Sequence, residues 1–333
     1  MKLKLYLFYL LNENLFLKIT TSFILILTLG ACQKRRHIME YYKNRKVKSE
    51  YYLIADSILD GKKIQYFPSG NVATVEIYSN GEEVDSTIVY EDNSNSTLDQ
   101  VVFPLINNRQ YFKGYDTLGN LYQVGYFDSL DRRVGFWTFY KKDGSMDYQK
   151  EFRIIQGQSI VNQQWDLLPS GDTLNTGSSM KYKVSTNRLN LGDSIRFWFQ
   201  SDVAAISDTD SDYSVIIPSN FHEQNFNRDF SNFHYSDSTP KTSEKYSLLY
   251  DSIHLKDKRT IPDSLHRKTV IFYLTPSQIG KDTIRGMFIE QRRSNTDSNI
   301  HNIHSLNMNL KKIDTLEYLT RTIYFDIPIE VVE

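Results

Sequence analysis

The sequence predicts an all-β protein with two parts, a meander of β-hairpins followed by a sandwich of two sheets. Three observations indicate this. Tyrosine and phenylalanine number 23 and 19 among 333 residues, and such side chains pack well on a pleated, half-buried surface. Glycine-centred turns recur at near-regular intervals in the first half of the chain. The second half alternates between apolar and polar residues with the period of two that is typical of strands.

The amino-terminal segment predicts export and a lipid anchor. Positive charges precede an apolar run at 19–29, which has the length of a signal-peptide core and is too short for a spanning helix. The run ends in Leu29-Gly30-Ala31-Cys32, which resembles a bacterial lipobox. That resemblance implies a signal peptide over residues 1–31 and a lipid, such as palmitate, on Cys32, the only cysteine of the chain. An uncleaved membrane anchor is the alternative.

Residues 32–50 are strongly basic, and we expect them to form a solvated tether. The alternative is that this basic segment contacts anionic lipid headgroups, because the lipid on Cys32 holds it at the membrane. The expected location is the cell envelope. Because Gln33-Lys34-Arg35-Arg36 offers no acidic residue directly after the anchor, we expect the outer membrane, with the protein facing the periplasm.

A repeated turn defines the predicted meander over residues 51–176. A glycine ends a short turn at Gly70, Gly119, Gly144 and Gly171. A tyrosine or a leucine stands four residues before each glycine. The interval between Gly70 and Gly119 is about twice the others, and a degenerate copy of the repeat, here called the worn copy, lies within it with Tyr90 and Ser94. Weaker turn marks fall between these, at Gly81, Asn107, Asp131 and Gly157. Glycine at the third loop position supplies the left-handed conformation that such hairpins need, and the copies must stack because one hairpin cannot bury its own face.

Two copies of the repeat have the same separations between a leading glycine, a tyrosine and the turn glycine. Gly61 and Tyr66 precede Gly70 as Gly135 and Tyr140 precede Gly144. This spacing resembles the MORN-variant hairpin repeat of bacterial proteins that are often labelled antitoxin-type. The resemblance implies a scaffold or a binding surface. A toxin-neutralising role follows from the family label alone and would require the chain to stay in the cytosol.

Residues 180–333 predict a separate β-sandwich, which follows a polar, flexible break at 175–179. Ile195, Phe197 and Phe199 alternate with residues of the opposite face, and residues 322–331 alternate still more regularly. An immunoglobulin-like arrangement of two sheets fits this pattern.

Two long polar insertions, 219–263 and 294–315, interrupt the predicted strands. Loops of that length are either functional or disordered. Aromatic side chains among polar neighbours are typical of recognition surfaces, so the first insertion is the better candidate for binding a partner. Its candidate contacts are Phe226, Phe230, Phe233 and Tyr235. If these rings dock on the sandwich instead, they are core residues.

The sequence contains no complete catalytic, cofactor or metal motif. His301 and His304 have a spacing that suits zinc but lack further ligands. Asp208, Asp210 and Asp212 begin like a calcium loop that lacks its glycine and its glutamate.

These features predict a lipid-anchored protein of the cell envelope that binds or scaffolds without catalysis and without a cofactor. The expected partners are the membrane, through Cys32, and an envelope protein or glycan. A formal charge of −1 argues against nucleic acid. The alternative is a hydrolase of envelope polymers, with its catalytic groups in the long loops of the carboxyl-terminal domain.

Overall fold

The computed structural model describes residues 34–206, 211–218, 227–232, 243–246, 263–293, 308–313 and 316–333. They form two compact units that divide between Pro104 and Leu105. The fold is all-β, a hairpin meander plus a sandwich, as predicted. The described ranges contain one short helix, α1 (Asp263–His266). No helix within them is long and apolar enough to cross a membrane.

The first unit is an antiparallel sheet. Its strands are β1 (Arg36–Tyr41), β2 (Val47–Ile54), β3 (Ile58–Leu59), β4 (Gly61–Tyr66), β5 (Val72–Ser79), β6 (Glu82–Glu83), β7 (Thr87–Tyr90) and β8 (Leu98–Val102). They lie in the order β1-β2-β4-β5-β7-β8, while β3 pairs with β2 and β6 pairs with β5. Neighbours in the chain are therefore mostly neighbours in the sheet.

The basic segment is part of this sheet, so the tether expected over residues 32–50 is corrected from Arg36 onward. β1 and β2 form an antiparallel hairpin in which Glu40 lies opposite Ser49. The Ser49 hydroxyl donates a hydrogen bond to the Glu40 carboxylate at 2.8 Å. The Tyr42 hydroxyl donates to the Tyr66 carbonyl at 2.6 Å. Strand pairing satisfies the backbone, and the many cations are tolerated because most of their side chains lie on the solvent side of the hairpin.

The predicted turns are confirmed as one repeated hydrogen-bonding pattern. At the first, the Phe67 amide donates to the Asn71 carbonyl and the Gly70 amide to the Phe67 carbonyl, both at 2.8 Å. The same pair of bonds recurs at the turns of Gly119, Gly144 and Gly171, and these four glycines have φ between +82° and +102°. In the worn copy, Ser96 takes the positive φ, at 47°, two residues after Ser94. The weaker marks are reversals too, with positive φ at Gly81, Asn107, Asp131 and Gly157.

The second unit consists of a meander of its own and the sandwich. Its strands are β9 (Arg109–Tyr115), β10 (Leu121–Asp128), β11 (Arg133–Tyr140), β12 (Met146–Ile155), β13 (Gln158–Leu167), β14 (Thr173–Val184), β15 (Arg188–Asn190), β16 (Ile195–Val203), β17 (Asp212–Pro218), β18 (Ser243–Tyr246), β19 (Thr269–Leu274), β20 (Gly280–Arg293), β21 (Met308–Ile313) and β22 (Leu316–Val332). One sheet runs β9-β10-β11-β12-β13-β14-β16-β19. The other runs β15-β22-β20-β17-β18, with β21 also paired to β22.

The polar break predicted at 175–179 is the middle of a continuous strand. The first half of β14 pairs with β13, where Gly177 lies opposite Trp165, and the second half pairs with β16. Ser178 and Ser179 are buried. Their small polar side chains mark the place where the strand changes partner. The predicted domains, 51–176 and 180–333, accordingly differ from the observed division at Pro104 and Leu105.

The sandwich core lies between the two sheets. Phe199 of β16 packs against Phe325 of β22 and Phe288 of β20, with ring centroids 4.7 and 6.4 Å away. The alternation predicted for Ile195 and Phe197 is confirmed, since both are fully buried with Phe199.

A buried arginine joins the meander to the second sheet of this unit. Arg321 of β22 donates from Nε to the Ser178 hydroxyl at 3.0 Å and from Nη2 to the Asn162 carbonyl at 2.6 Å. The side chain of Asn162 in turn donates to the Tyr324 carbonyl and to Glu151. Burial lowers the pKa of Arg321 to about 10. Because an unpaired buried charge is costly, these bonds fix how β13 lies against β22.

Candidate functional site

The meander of the second unit carries an aromatic cluster on one face of β9 to β12. Trp137 of β11 is fully buried at its centre. Phe112, Phe127 and Phe152 surround the indole with ring centroids 4.9 to 6.2 Å away. The indole N–H donates to the Tyr126 carbonyl at 3.1 Å, so its one polar group is satisfied.

A glycine makes room for this indole. Gly125 of β10 lies directly beneath Trp137, and a Cβ at this position would lie 2.2 Å from the indole Cδ2. Any larger residue therefore displaces the ring. The indole lies under the face of the sheet that carries Arg133 and Lys150.

Two half-buried cations lie on the cluster. The Arg133 guanidinium lies over Trp137, 4.5 Å from the ring centroid. The Lys150 ammonium lies 5.1 Å from the ring centroid of Tyr148 and 5.9 Å from that of Phe139. Those two rings are themselves stacked, 4.4 Å apart. Both cations are thus held by ring faces, an arrangement that gains strength as water is excluded.

Neither cation has an acidic partner within ion-pair distance among the described residues. Arg133 donates to the side-chain oxygen of Gln123 at 3.1 Å, which is a neutral acceptor. Burial lowers the pKa of Lys150 and the nearby charge of Arg133 lowers it further, while the charge of Asp166 opposes this shift. Burial also lowers the pKa of Arg133. Two cations against the single carboxylate of Asp166 leave the site with an excess of positive charge that an anion would offset.

Polar groups form the edge of this face. A β-bulge near Gln123 turns Tyr122 toward it, and the Gln123 amide donates to the Tyr122 hydroxyl at 2.9 Å. Across the β12–β13 pair, Gln164 lies opposite Lys150 and Asp166 opposite Tyr148. The Gln164 amide donates to Asp166 at 2.8 Å. We call the whole set the Arg133–Lys150 site; it comprises Tyr122, Gln123, Arg133, Trp137, Phe139, Tyr148, Lys150, Gln164 and Asp166.

Most residues that the sequence singled out for binding lie outside the described residues. These are Cys32, Phe226, Phe233 and Tyr235. Phe230 is described and is 1% exposed. Its ring packs against Tyr324, with centroids 4.7 Å apart, and against a buried apolar cluster that includes Ile216 and Met287. Phe230 is therefore a core residue, which corrects its assignment as a partner contact.

Almost all residues of the two weak metal motifs lie outside the part of the chain that the structure describes. His301, His304, Asp208 and Asp210 lie outside the described residues, and Asp212 begins β17. Within the described part of the chain, no three His, Cys, Asp or Glu side chains come close enough to hold a metal ion.

Sequence reasoning missed Arg133 and Lys150. The signal was weak, because Arg133 stands two residues before the motif that begins at Gly135, whereas Lys150 stands between the polar residues Gln149 and Glu151 on the next strand. What was lacking was the register, which sets Trp137 opposite Lys150.

No protein-family model and no curated protein matches this chain. The resemblance to MORN-variant repeats and the lipobox at Cys32 therefore stay predictions.

Proposed function

We propose that this protein is a lipid-anchored binding or scaffold protein of the cell envelope that acts through the Arg133–Lys150 site and performs no catalysis. One observation carries the proposal. Arg133 and Lys150 are half-buried on aromatic rings, and no acidic group of the described residues pairs with either cation. Keeping two cations together in partial burial costs free energy, and a bound anion offsets that cost.

The anchor belongs to the same proposal. The lipid on Cys32 would hold the protein at the outer membrane, facing the periplasm, and the basic hairpin of β1 and β2 begins only four residues later. Each basic side chain near an anionic surface adds about 1 kcal/mol of attraction, so lipid and hairpin would act together.

Binding is tested by cross-linking in intact cells. We expect a cross-linked partner to be recovered with the wild type and lost with the double variant Arg133→Gln, Lys150→Gln. The matched control is Lys183→Gln, because Lys183 also lies over a ring, 5.6 Å from the centroid of Trp198, but is exposed and lies on β14. Recovery of the same partner with the double variant would show that binding does not use this site.

The anchor is tested separately with Cys32→Ser. We expect this variant to take up no labelled acyl chain and to leave the membrane fraction. If it still sediments with membranes after a high-salt wash, the chain is held by something other than a lipid on Cys32.

A further inference from the structure

The Arg133–Lys150 site brings together three kinds of chemical group on one face. An aromatic ring comes from Tyr122, which is 41% exposed at the edge. Positive charge comes from the two cations. A carboxylate and amides come from the polar edge. Few ligand classes use all three.

The cations call for a carboxylate or another small oxyanion. A guanidinium has five N–H donors, and Arg133 commits its side chain to one hydrogen bond, with Gln123. The Arg133 guanidinium lies flat over Trp137, so the N–H donors along its edge can bind a planar anion through two parallel hydrogen bonds. Lys150 adds a second charge close by, since Arg133 and Lys150 lie 5.8 and 5.9 Å from the ring centroid of the same residue, Phe139.

The polar edge argues against a uniformly anionic ligand. Asp166 lies opposite Tyr148, one strand away from Lys150, and would repel a polyphosphate or a nucleic-acid backbone. A carboxylate and an amide side by side are instead good partners for hydroxyl groups, because Asp166 accepts hydrogen bonds and Gln164 both accepts and donates them. The ligand therefore carries both an anion and hydroxyls.

The aromatic part of the site indicates the remaining chemistry of the ligand. The C–H groups on the face of a saccharide ring pack flat on aromatic side chains through dispersion, which rewards a rigid, preformed surface. Phe139 and Tyr148 cover one face of each other and carry Lys150, so the ring open to a saccharide is that of Tyr122, whose hydroxyl accepts a hydrogen bond from the Gln123 amide at 2.9 Å.

We propose that the Arg133–Lys150 site binds an acidic saccharide, with a uronic-acid carboxylate between Arg133 and Lys150 and ring hydroxyls on Gln164 and Asp166. The inference rests on the proposed function, since it names the ligand class of the same site.

The test uses the full chain in detergent and a short oligogalacturonate as the probe, followed by calorimetry. We expect binding that weakens as salt is added, because charged contacts are screened. Arg133→Gln and Lys150→Gln should each weaken it roughly tenfold, as expected for loss of one hydrogen bond to a charged group. Lys183→Gln should bind oligogalacturonate with the affinity of the wild type. Arg133→Lys keeps the charge but loses the paired N–H donors of the guanidinium, so its affinity should lie between those of the wild type and Arg133→Gln.

Two further probes test recognition of the saccharide separately from recognition of its negative charge. A neutral oligosaccharide of equal length should bind far more weakly, and so should polyglutamate of equal charge. Equal binding of polyglutamate would overturn the saccharide assignment, and equal binding of the neutral oligosaccharide would overturn the role of the cations. Melting temperatures are measured for every variant, and Lys150→Gln decides the matter if Arg133→Gln unfolds.

Failure of this inference differs from failure of the proposed function. If oligogalacturonate does not bind while the cross-linked partner still depends on Arg133 and Lys150, the saccharide is wrong and the binding function stands. If both the saccharide and the cross-linked partner are unaffected by the two substitutions, both proposals are overturned.

Discussion

Replacing Gly125 with alanine should destabilise the second unit, because the added methyl group overlaps a fully buried indole. The added Cβ would lie 2.2, 2.3 and 2.4 Å from Cδ2, Cε2 and Cγ of Trp137. Ordinary carbon contacts are about 3.5 to 4.0 Å, so the indole must move by more than about 1 Å. Trp137 is fully buried among aromatic rings and cannot retreat without disturbing them.

The magnitude lies between two limits. Overpacking a well-filled core costs roughly 1 to 3 kcal/mol, and expelling a buried tryptophan costs about 3 to 5 kcal/mol. Because the overlap at Gly125 is with three ring atoms of a rigid indole, we expect a loss near 3 kcal/mol. In a unit of roughly 200 residues, that lowers the melting temperature by about 6 to 12 °C.

The assay is urea unfolding followed by far-ultraviolet circular dichroism, with Gly114→Ala as the matched control. Gly114 is on the adjacent strand, where a Cβ would meet the Gln123 and Phe112 side chains at 3.0 Å, so its loss should be smaller. A double-mutant cycle with Trp137→Leu isolates the overlap. We expect Gly125→Ala to cost at least about 1 kcal/mol less in the Trp137→Leu background, since the ring atoms that it meets are gone.

Two results would refute this reasoning. One is a Gly125→Ala protein as stable as the wild type. The other is strict additivity in the cycle, which would mean that residue 125 and the indole do not touch.

Three other predictions concern burial and charge. Phe230→Ser should lower the free energy of unfolding by about 3 kcal/mol, because the ring is core; an unchanged melting temperature would restore its role as an exposed contact. Arg321→Met should cost about 2 to 6 kcal/mol in urea unfolding, since it leaves the Ser178 hydroxyl and the Asn162 carbonyl buried without their donor; a stable variant would show that the network is dispensable. Burial, aided by hydrogen bonds to Glu50 and Glu76, raises the pKa of Tyr66 and Tyr78 from 10.0 to about 12. Their contribution to stability is therefore present below pH 10 and is lost as the pH rises toward 12. Tyrosinate absorbance should show late-ionising groups whose number falls by one in Tyr66→Phe and by one in Tyr78→Phe, and titration of all tyrosines near pH 10 would contradict this.

The turns were the most predictable part of the fold, because their cause is local. A glycine such as Gly70 takes a φ of +102° that other residues rarely adopt, so its spacing shows directly in the sequence. The alternation at Phe197 and Phe199 was equally readable, since a half-buried strand must alternate.

The candidate site was hidden for the opposite reason. Whether Lys150 meets Trp137 depends on the register between two strands, and a bulge at one turn shifts every later pair. The polarity of Ser178 and Ser179 suggested a linker, whereas these side chains are small groups packed inside a strand beside Arg321. Phe230 has polar neighbours in sequence but apolar ones in space.

The passage of β14 from one partner strand to the next limits how this protein can be shortened. A fragment that stops at residue 179 keeps the half of β14 that pairs with β13 and removes the half that pairs with β16. It also removes Arg321, which leaves the Asn162 carbonyl without its buried donor. Such a fragment ends in an incomplete strand beside newly exposed apolar surface, a combination that promotes edge-to-edge aggregation. Expressing the meander alone therefore requires a redesigned, charged edge at β13 and β14.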